Sequence, residues 1–538
     1  MINLDLQIFC PGYHKPYKIS GVYLIMIKNF TPRLYQQTIF ATCTEKNTLV
    51  VLPTGLGKTN IFLMMAAHRI EKCPDSKILF VGPTRPLIDQ YLLVFKRHFE
   101  IPEDEMAVIT GFIKPEKRKE LWDKSRIIFS TPQGLQNDIE SGKIDLKNVS
   151  LLGVDEAHRA VGNYAYVSIA KIYFETSGHP RIIGLTASPG SDIEKISEVC
   201  RNLFIEAIES RTESDSDVRQ YVKEVGIEWV EVKLPESLQS IKRALDDCLK
   251  TRYEKLSSWK LLGRSKSRYN KKELLLAQAR IRNQLMHEKN FALMKIISLL
   301  AEVIKAQHAS ELLETQGITA LAKYFEKLKE EDKSGKSKAV RNLFYDKNFR
   351  FAAERSNELY GAGVEHPKLE ALKNAVINEL ESNPNLKFIV FNHYRDSALK
   401  LVNELEKIEG ISARLFVGQM KKGETGLSQK EQKGVLDKFR TGEFNCIVST
   451  SIGEEGLDVP AVDLVIFYEP VPSAIRSIQR RGRTGRMEKG KVIILFTKGT
   501  RDESYKWTAH HKEKRMFSNL RSIKLEPIKK QNTLERFF

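Results

Sequence analysis

The sequence predicts an α/β protein, with two parallel-sheet domains and an all-helical insert domain between them. Three observations carry that expectation. Short continuous apolar runs alternate with helix-like stretches between residues 48 and 185. The same alternation returns after residue 366, and no proline occurs from residue 236 to residue 366. Continuous apolar strands separated by helices suit a sheet covered on both faces.

The first set of strands is expected over 48–52, 78–81, 126–129, 151–154 and 181–185, with helices over 60–71 and 87–99. The second set is expected over 387–391, 413–417, 446–449, 464–467 and 491–496. Between them helix formers dominate. Leu274, Leu275, Ala277, Ile281 and Leu285 recur at helical spacing, which predicts a helical insert. The expected division is an N-terminal extension over 1–28, a first α/β domain over 29–212, a connecting strand with the insert over 213–365, a second α/β domain over 366–515 and a flexible tail over 516–538.

Charge narrows the partner. The 538 residues contain 86 Lys and Arg against 68 Asp and Glu, a net +18. That excess points to a polyanion, and composition alone leaves nucleic acid and an acidic membrane both open. Residues 241–300 hold fifteen Lys and Arg against five Asp and Glu, so over half of the excess falls in the insert. This predicts a phosphate-contacting surface there.

Other classes are excluded. Six cysteines with no C-x-x-C pair argue against a disulfide scaffold and a zinc ribbon, and fit a reducing, cytoplasmic setting. No apolar run reaches the roughly 18 residues needed to cross a bilayer. The best candidate, 19–27, has Lys15, Lys18 and Lys28 around it but no signal-peptide cleavage site after it. Met26 is an alternative first residue, which would make 1–25 an upstream extension.

The strongest local signal is Pro53, Thr54, Gly55, Leu56, Gly57, Lys58 and Thr59, between an apolar strand and a helix-like run. Glycines let backbone N–H groups wrap phosphates, and a helix N-terminus adds a favourable dipole. Lys58 would reach the β- and γ-phosphates of ATP, and Thr59 would ligate Mg²⁺. Leu52 stands where the strict phosphate-loop pattern has glycine. Asp155 and Glu156 follow the strand expected over 151–154, at the strand end where open parallel sheets bind ligands. Asp155 would share the Mg²⁺ with Thr59, and Glu156 would deprotonate the attacking water. In the second α/β domain, Gln479, Arg483 and Arg486 lie in a run of four arginines and two glycines. Arginine stabilises the spread charge of phosphoryl transfer, so this run is expected to complete the site.

In this order, these elements resemble the superfamily 2 helicases, whose two α/β domains are RecA-like. Arg33 and Gln36 look like the adenine-reading Q motif. Pro83, Thr84, Arg85, Gly111 and Thr131 look like the strand-tracking motifs, and Thr186, Ala187 and Ser188 like the motif coupling hydrolysis to movement. Asn392 and Thr450 fall in stretches similar to further DNA-binding motifs, with Gly456 and Asp458 on the nucleotide side. Arg483 and Arg486 match the arginine-finger positions. The stretches 158–166, 184–190, 416–419 and 468–476 narrow the resemblance to archaeal Hef and the Fanconi anaemia M helicase. In that family a thumb-like helical insert helps grip branched DNA. The resemblance implies an ATP-dependent DNA helicase acting on stalled forks and four-way junctions. Archaeal members often add an XPF-type nuclease. No such acidic motif is found here, so strand cutting would need a separate XPF-type partner.

Gln531, Leu534, Phe537 and Phe538 fit Q-x-x-[LIM]-x-x-F-F and resemble the peptide that binds the sliding clamp, PCNA. The apolar side chains would anchor in a pocket, with Gln531 fixing the orientation.

Overall fold

The structure, a computed structural model, describes residues 18–19, 22–23, 26–221, 225–259, 269–288, 290–335, 337–418, 426–450, 460, 462–471 and 490–523. Thr48–Val51 is buried along its whole length. Val50 packs into one cluster with Leu63, Phe80 and Phe95, whereas Leu49 and Val51 pack into another with Leu152, Ile169 and Val199. That alternation is the pleat of a strand with a core on each side. The first sheet has seven parallel strands, in the order Met106–Ile109, Ile127–Ser130, Lys77–Val81, Val149–Asp155, Ile182–Thr186, Thr48–Val51, Ala207–Ser210. Its two outer strands were not anticipated. They are four residues each, and Ala207–Ser210 has no fully buried position.

The second sheet is also parallel, in the order Val225–Val232, Gly490–Thr497, Leu464–Phe467, Phe388–Phe391, Cys446–Ser449, Ala413–Phe416. Val225–Val232, expected as a connector beside the insert, is instead the edge strand of this sheet. It pairs with Gly490–Thr497 along its full length. Most of its side chains are exposed or half-buried, so it lacks the apolar run of a central strand.

Among the described residues the insert has six helices: Glu236–Ser258, Lys271–His287, Phe291–Thr315, Ile318–Lys333, Lys338–Tyr345 and Lys347–Gly361. They enclose their own core, with Leu238, Leu274, Val303, Phe325 and Phe349 buried. Arg252 is buried within it and is neutralised by Glu302 at 3.1 Å and Asp346 at 2.7 Å.

Two expected boundaries move. The final helix, Arg501–Ser522, leaves the second sheet and crosses to the first domain, where Met516 and Leu520 join the core. Residues 516–522 are therefore packed helix, and the apolar contacts that hold them lie on a domain distant in sequence. At the other end, Ile27 bridges to Phe99, and Met26 and Ile27 pack on the first core. No helix among the described residues is long and apolar enough to cross a membrane.

Candidate nucleotide site

The site lies along the carboxyl ends of three neighbouring strands of the first sheet. Thr48–Val51 feeds the phosphate loop, Val149–Asp155 ends in the acidic pair, and Ile182–Thr186 ends in the coupling motif. Parallel strands deliver all three segments to one edge.

The loop is shaped by Gly55 and Gly57, at φ 85° and 74°. Lys58 and Thr59 then open the helix Lys58–Lys72. Leu52 fits where glycine stands in the strict pattern because its backbone needs no left-handed turn; among the described residues Asn29, Glu156 and Phe204 alone take positive φ without being glycine. Its side chain is fully buried, its N–H donates to the Thr186 carbonyl at 3.1 Å, and its carbonyl accepts from Lys58 Nζ at 3.2 Å.

Gln36 is buried beside the loop. Its Oε1 accepts from the Arg33 N–H at 3.0 Å, and its Nε2 donates to the Leu56 carbonyl at 3.2 Å. The Tyr35 hydroxyl donates to the same carbonyl at 2.7 Å. A Cβ on Gly57 would stand 2.5 Å from Gln36 Nε2 and would have to displace the end of that side chain, while the left-handed φ is what favours glycine there. The Arg33 guanidinium lies 4.8 Å from the centre of the Tyr221 ring.

Asp155 is 3 % exposed, and its Oδ1 has no hydrogen-bond partner. Burial raises its carboxyl well above the usual range. Glu156 pushes the same way, and the Lys58 ammonium pulls back. A buried carboxylate oxygen with no donor fits a cation, so Asp155 and Thr59 suit Mg²⁺. Glu156 sits in a left-handed turn at φ 47°. Its Oε2 is 3.3 Å from His158 Nδ1, which is 3.1 Å from Thr186 Oγ1. Thr186 Oγ1 also accepts from the Ser188 N–H at 3.1 Å, and Ser188 Oγ donates to Met516 Sδ at 2.9 Å. A contiguous path thus joins the acidic pair, through the coupling motif, to the helix that arrives from the second domain.

Three residues of this site were not anticipated. Tyr91 is buried, and burial together with the neighbouring Asp155 carboxylate raises its hydroxyl well above the usual range. Its ring stacks on Phe80 with centroids 3.9 Å apart. The Tyr166 hydroxyl donates to the Asp155 carbonyl at 2.9 Å. Met516 arrives from 328 positions away. The tyrosines sit in helices where an aromatic residue reads as core, and nothing local marks the methionine.

Pro83, Thr84, Arg85, Gly111 and Thr131 follow three other adjacent strands of the same edge, Lys77–Val81, Met106–Ile109 and Ile127–Ser130. A Cβ on Gly134 would lie 3.4 Å from the Gly111 nitrogen, so two of these turns run in close contact. In the second domain Asn392 and Thr450 also follow strand ends, but both are buried. Asn392 Oδ1 accepts from the Tyr394 N–H at 2.9 Å, so its side chain shapes its own turn and faces no nucleic acid in this conformation. Gly456, Asp458, Gln479, Arg483 and Arg486 lie outside the described residues, as do Gln531, Leu534, Phe537 and Phe538.

Comparison with known proteins follows the same division. Residues 33–196 match the DEAD/DEAH box helicase family, 367–488 the helicase conserved C-terminal domain, and 237–358 the helical bundle of ATP-dependent RNA helicases. The solved helicase domain of Pyrococcus furiosus Hef matches with a TM-score of 0.69 at 49% identity, over 89% of this chain and 98% of that one. A Methanocaldococcus jannaschii protein provisionally named an ATP-dependent RNA helicase is 41% identical, over 93% of this chain and 62% of its own length. The Neurospora crassa ATP-dependent DNA helicase mph1 is 36% identical, over 88% of this chain and 41% of its own. The chain thus spans less than two thirds of these curated relatives.

Proposed function

We propose that this chain, which belongs to the Hef/Fanconi anaemia M family of superfamily 2 helicases, is an ATP-driven motor on branched DNA. Its substrates would be stalled forks and four-way junctions, in repair and replication restart in the cytoplasm. The observation that carries this reading is the division of one sheet edge. Three adjacent strands end in the residues read as nucleotide-binding, and their three neighbours end in those read as strand-tracking.

Gln36 and Arg33 would read the adenine end, and the loop 53–59 would hold the phosphates with Lys58. Mg²⁺, when bound by Thr59 and Asp155, neutralises phosphate charge. Glu156 would take the proton of the attacking water, held in place by His158. Arg483 and Arg486 would stabilise the transferred phosphoryl charge when the two sheet domains close, with Gln479, Gly456 and Asp458 on the same face. Hydrolysis would reach the second domain along Thr186, Ser188 and Met516. The peptide Gln531, Leu534, Phe537 and Phe538 would tether the motor to the sliding clamp.

The test is the ATPase rate across fork, four-way junction, linear duplex, single-stranded DNA and duplex RNA, with Lys58→Ala as the blank. Strongest stimulation by fork or junction supports the motor. The names of some relatives favour a second reading, a duplex-RNA-stimulated ATPase. Equal or greater stimulation by duplex RNA would decide for it. A third reading is a clamp-tethered scaffold that recruits a nuclease to junctions. Normal cellular function of Glu156→Gln would favour that one.

A further inference from the structure

The insert exposes apolar side chains where its core does not need them. Lys271–His287 buries Leu274, Ala277 and Ile281 against the bundle. Its opposite face carries Leu275, Ala279, Arg282 and Met286, all exposed and spaced as one helical stripe. The stripe ends near the start of the next helix, Phe291–Thr315. Glu288 N–H closes the first helix on the Gln284 carbonyl at 2.9 Å, and Asn290 caps the second through the Ala292 N–H at 2.8 Å. The tip so fixed leaves Met286 81 %, Phe291 65 % and Met294 49 % exposed. Lys295 Nζ stands 4.8 Å from the centre of the Phe291 ring.

The chemistry around the tip selects its occupant. Near the tip Arg280, Arg282 and Lys295 are exposed, against Glu288 as the exposed acid. An apolar patch ringed by cations favours a polyanion that also offers a flat apolar face. A continuous duplex hides its base faces in the stack. A branch point exposes the terminal base pair of each arm, with phosphates on both sides. Phe and Met are among the side chains that wedge against base steps, and stacked rings tolerate any base.

We infer that the tip formed by Met286, Phe291 and Met294 is a wedge that seats on the exposed base pair at a DNA branch point, with Arg282 and Lys295 on the flanking phosphates. This rests on the branched-DNA reading and assigns the contact that recognises the branch. The wedge confers preference for a branch and takes no part in hydrolysis.

The experiment uses the full chain and the variant Met286→Ser/Phe291→Ser. Both side chains are exposed, so folding is preserved. Two readouts are taken: ATPase stimulated by fork and by linear duplex, and fluorescence of 2-aminopurine placed at the branch-flanking pair. The wild type should brighten the probe by unstacking it. The variant should lose that signal and about tenfold of its fork-over-duplex preference, from a stacking contact of about 1–3 kcal/mol. Its DNA-free ATPase should be unchanged. A variant with wild-type preference and fluorescence would overturn the wedge alone. A wild type that no fork stimulates would sink the motor reading with it. A variant that keeps its fork preference but is a monomer in solution where the wild type is a dimer would reassign the tip to contact between copies.

Discussion

Two buried polar clusters in this chain look alike in composition and differ in what completes them. At the nucleotide edge, Asp155 is buried with one oxygen unpartnered, and Lys58 donates to the Leu52 carbonyl. At the joint between the insert and the second domain, Lys368 and Asp502 form an ion pair with both side chains fully buried. Asp502 also accepts from the Thr497 N–H at 3.0 Å, and Arg501 N–H donates to Glu314 at 3.0 Å across the same joint. Asp502 Oδ1 accepts no hydrogen bond either, yet the joint supplies its own counter-charge in Lys368. The nucleotide edge leaves the counter-charge to be brought in. Burial of a carboxylate therefore does not identify a site; what does is whether the chain itself neutralises it.

The sharpest break of this contrast removes the charge on each side. Asp155→Asn should abolish most ATP hydrolysis, a loss of about a thousandfold or more in kcat as expected for electrostatic stabilisation of phosphoryl transfer. Its urea midpoint should hold or rise, because burial already disfavours that charge. Glu156→Gln should lose roughly hundredfold to ten-thousandfold for want of its base, with ATP still bound. If Asp155→Asn lowered the urea midpoint while keeping its rate, the edge would be structural.

At the joint the order reverses. Asp502→Ala leaves Lys368 buried without its partner and should destabilise the chain by about 3–5 kcal/mol. The readout is the urea midpoint, together with hydrogen exchange in the strand Gly490–Thr497. ATPase measured below the transition should stay within a factor of about two, since the joint touches no reacting group. A large rate loss with little destabilisation would mean that the joint acts in the reaction.

Between these lies Gly57→Ala. The left-handed φ of 74° and the 2.5 Å approach to Gln36 act together on the loop. A left-handed alanine costs about 1–2 kcal/mol. The variant should raise the KM for ATP by about tenfold and spare the melting of the second domain. An unchanged KM would show that Gln36 does not position the loop.

Much of this contrast was legible in the residues. Lys58, Thr59, Asp155 and Glu156 announce themselves because strand-end chemistry needs fixed residue types at fixed offsets. The central strands were legible because both faces are buried, which makes their runs continuous. A connecting strand before the insert was expected, but its place as the edge of the second sheet was not, since a strand half open to solvent carries little apolar signal. Tyr91 and Met516 were hidden for another reason. Each is an ordinary core residue by type, and only the packing of distant segments brings it beside Asp155 or Ser188. Asn392 shows the converse. Its position was legible, but its burial comes from the turn it caps.

The smallest effect probes how tightly the joint is closed. His366 is buried there, and its Nδ1 accepts from the Lys368 N–H at 3.2 Å, capping the helix Pro367–Ser382. Burial, reinforced by Lys368, lowers its imidazole to about 3. The folded chain therefore holds it neutral, while the unfolded chain takes up a proton as pH falls through about 6.5. The stabilising contribution is complete above that pH and shrinks steadily below it, by roughly 1 kcal/mol at pH 5.5. His366→Asn keeps a capping oxygen and cannot titrate. Its urea midpoint should fall less between pH 7.5 and 5.5 than that of the wild type, and the two curves should run parallel above pH 7.5. Equal slopes through the acid range would mean that the joint opens to water before His366 is protonated, and that the ion pair is less closed than its geometry indicates.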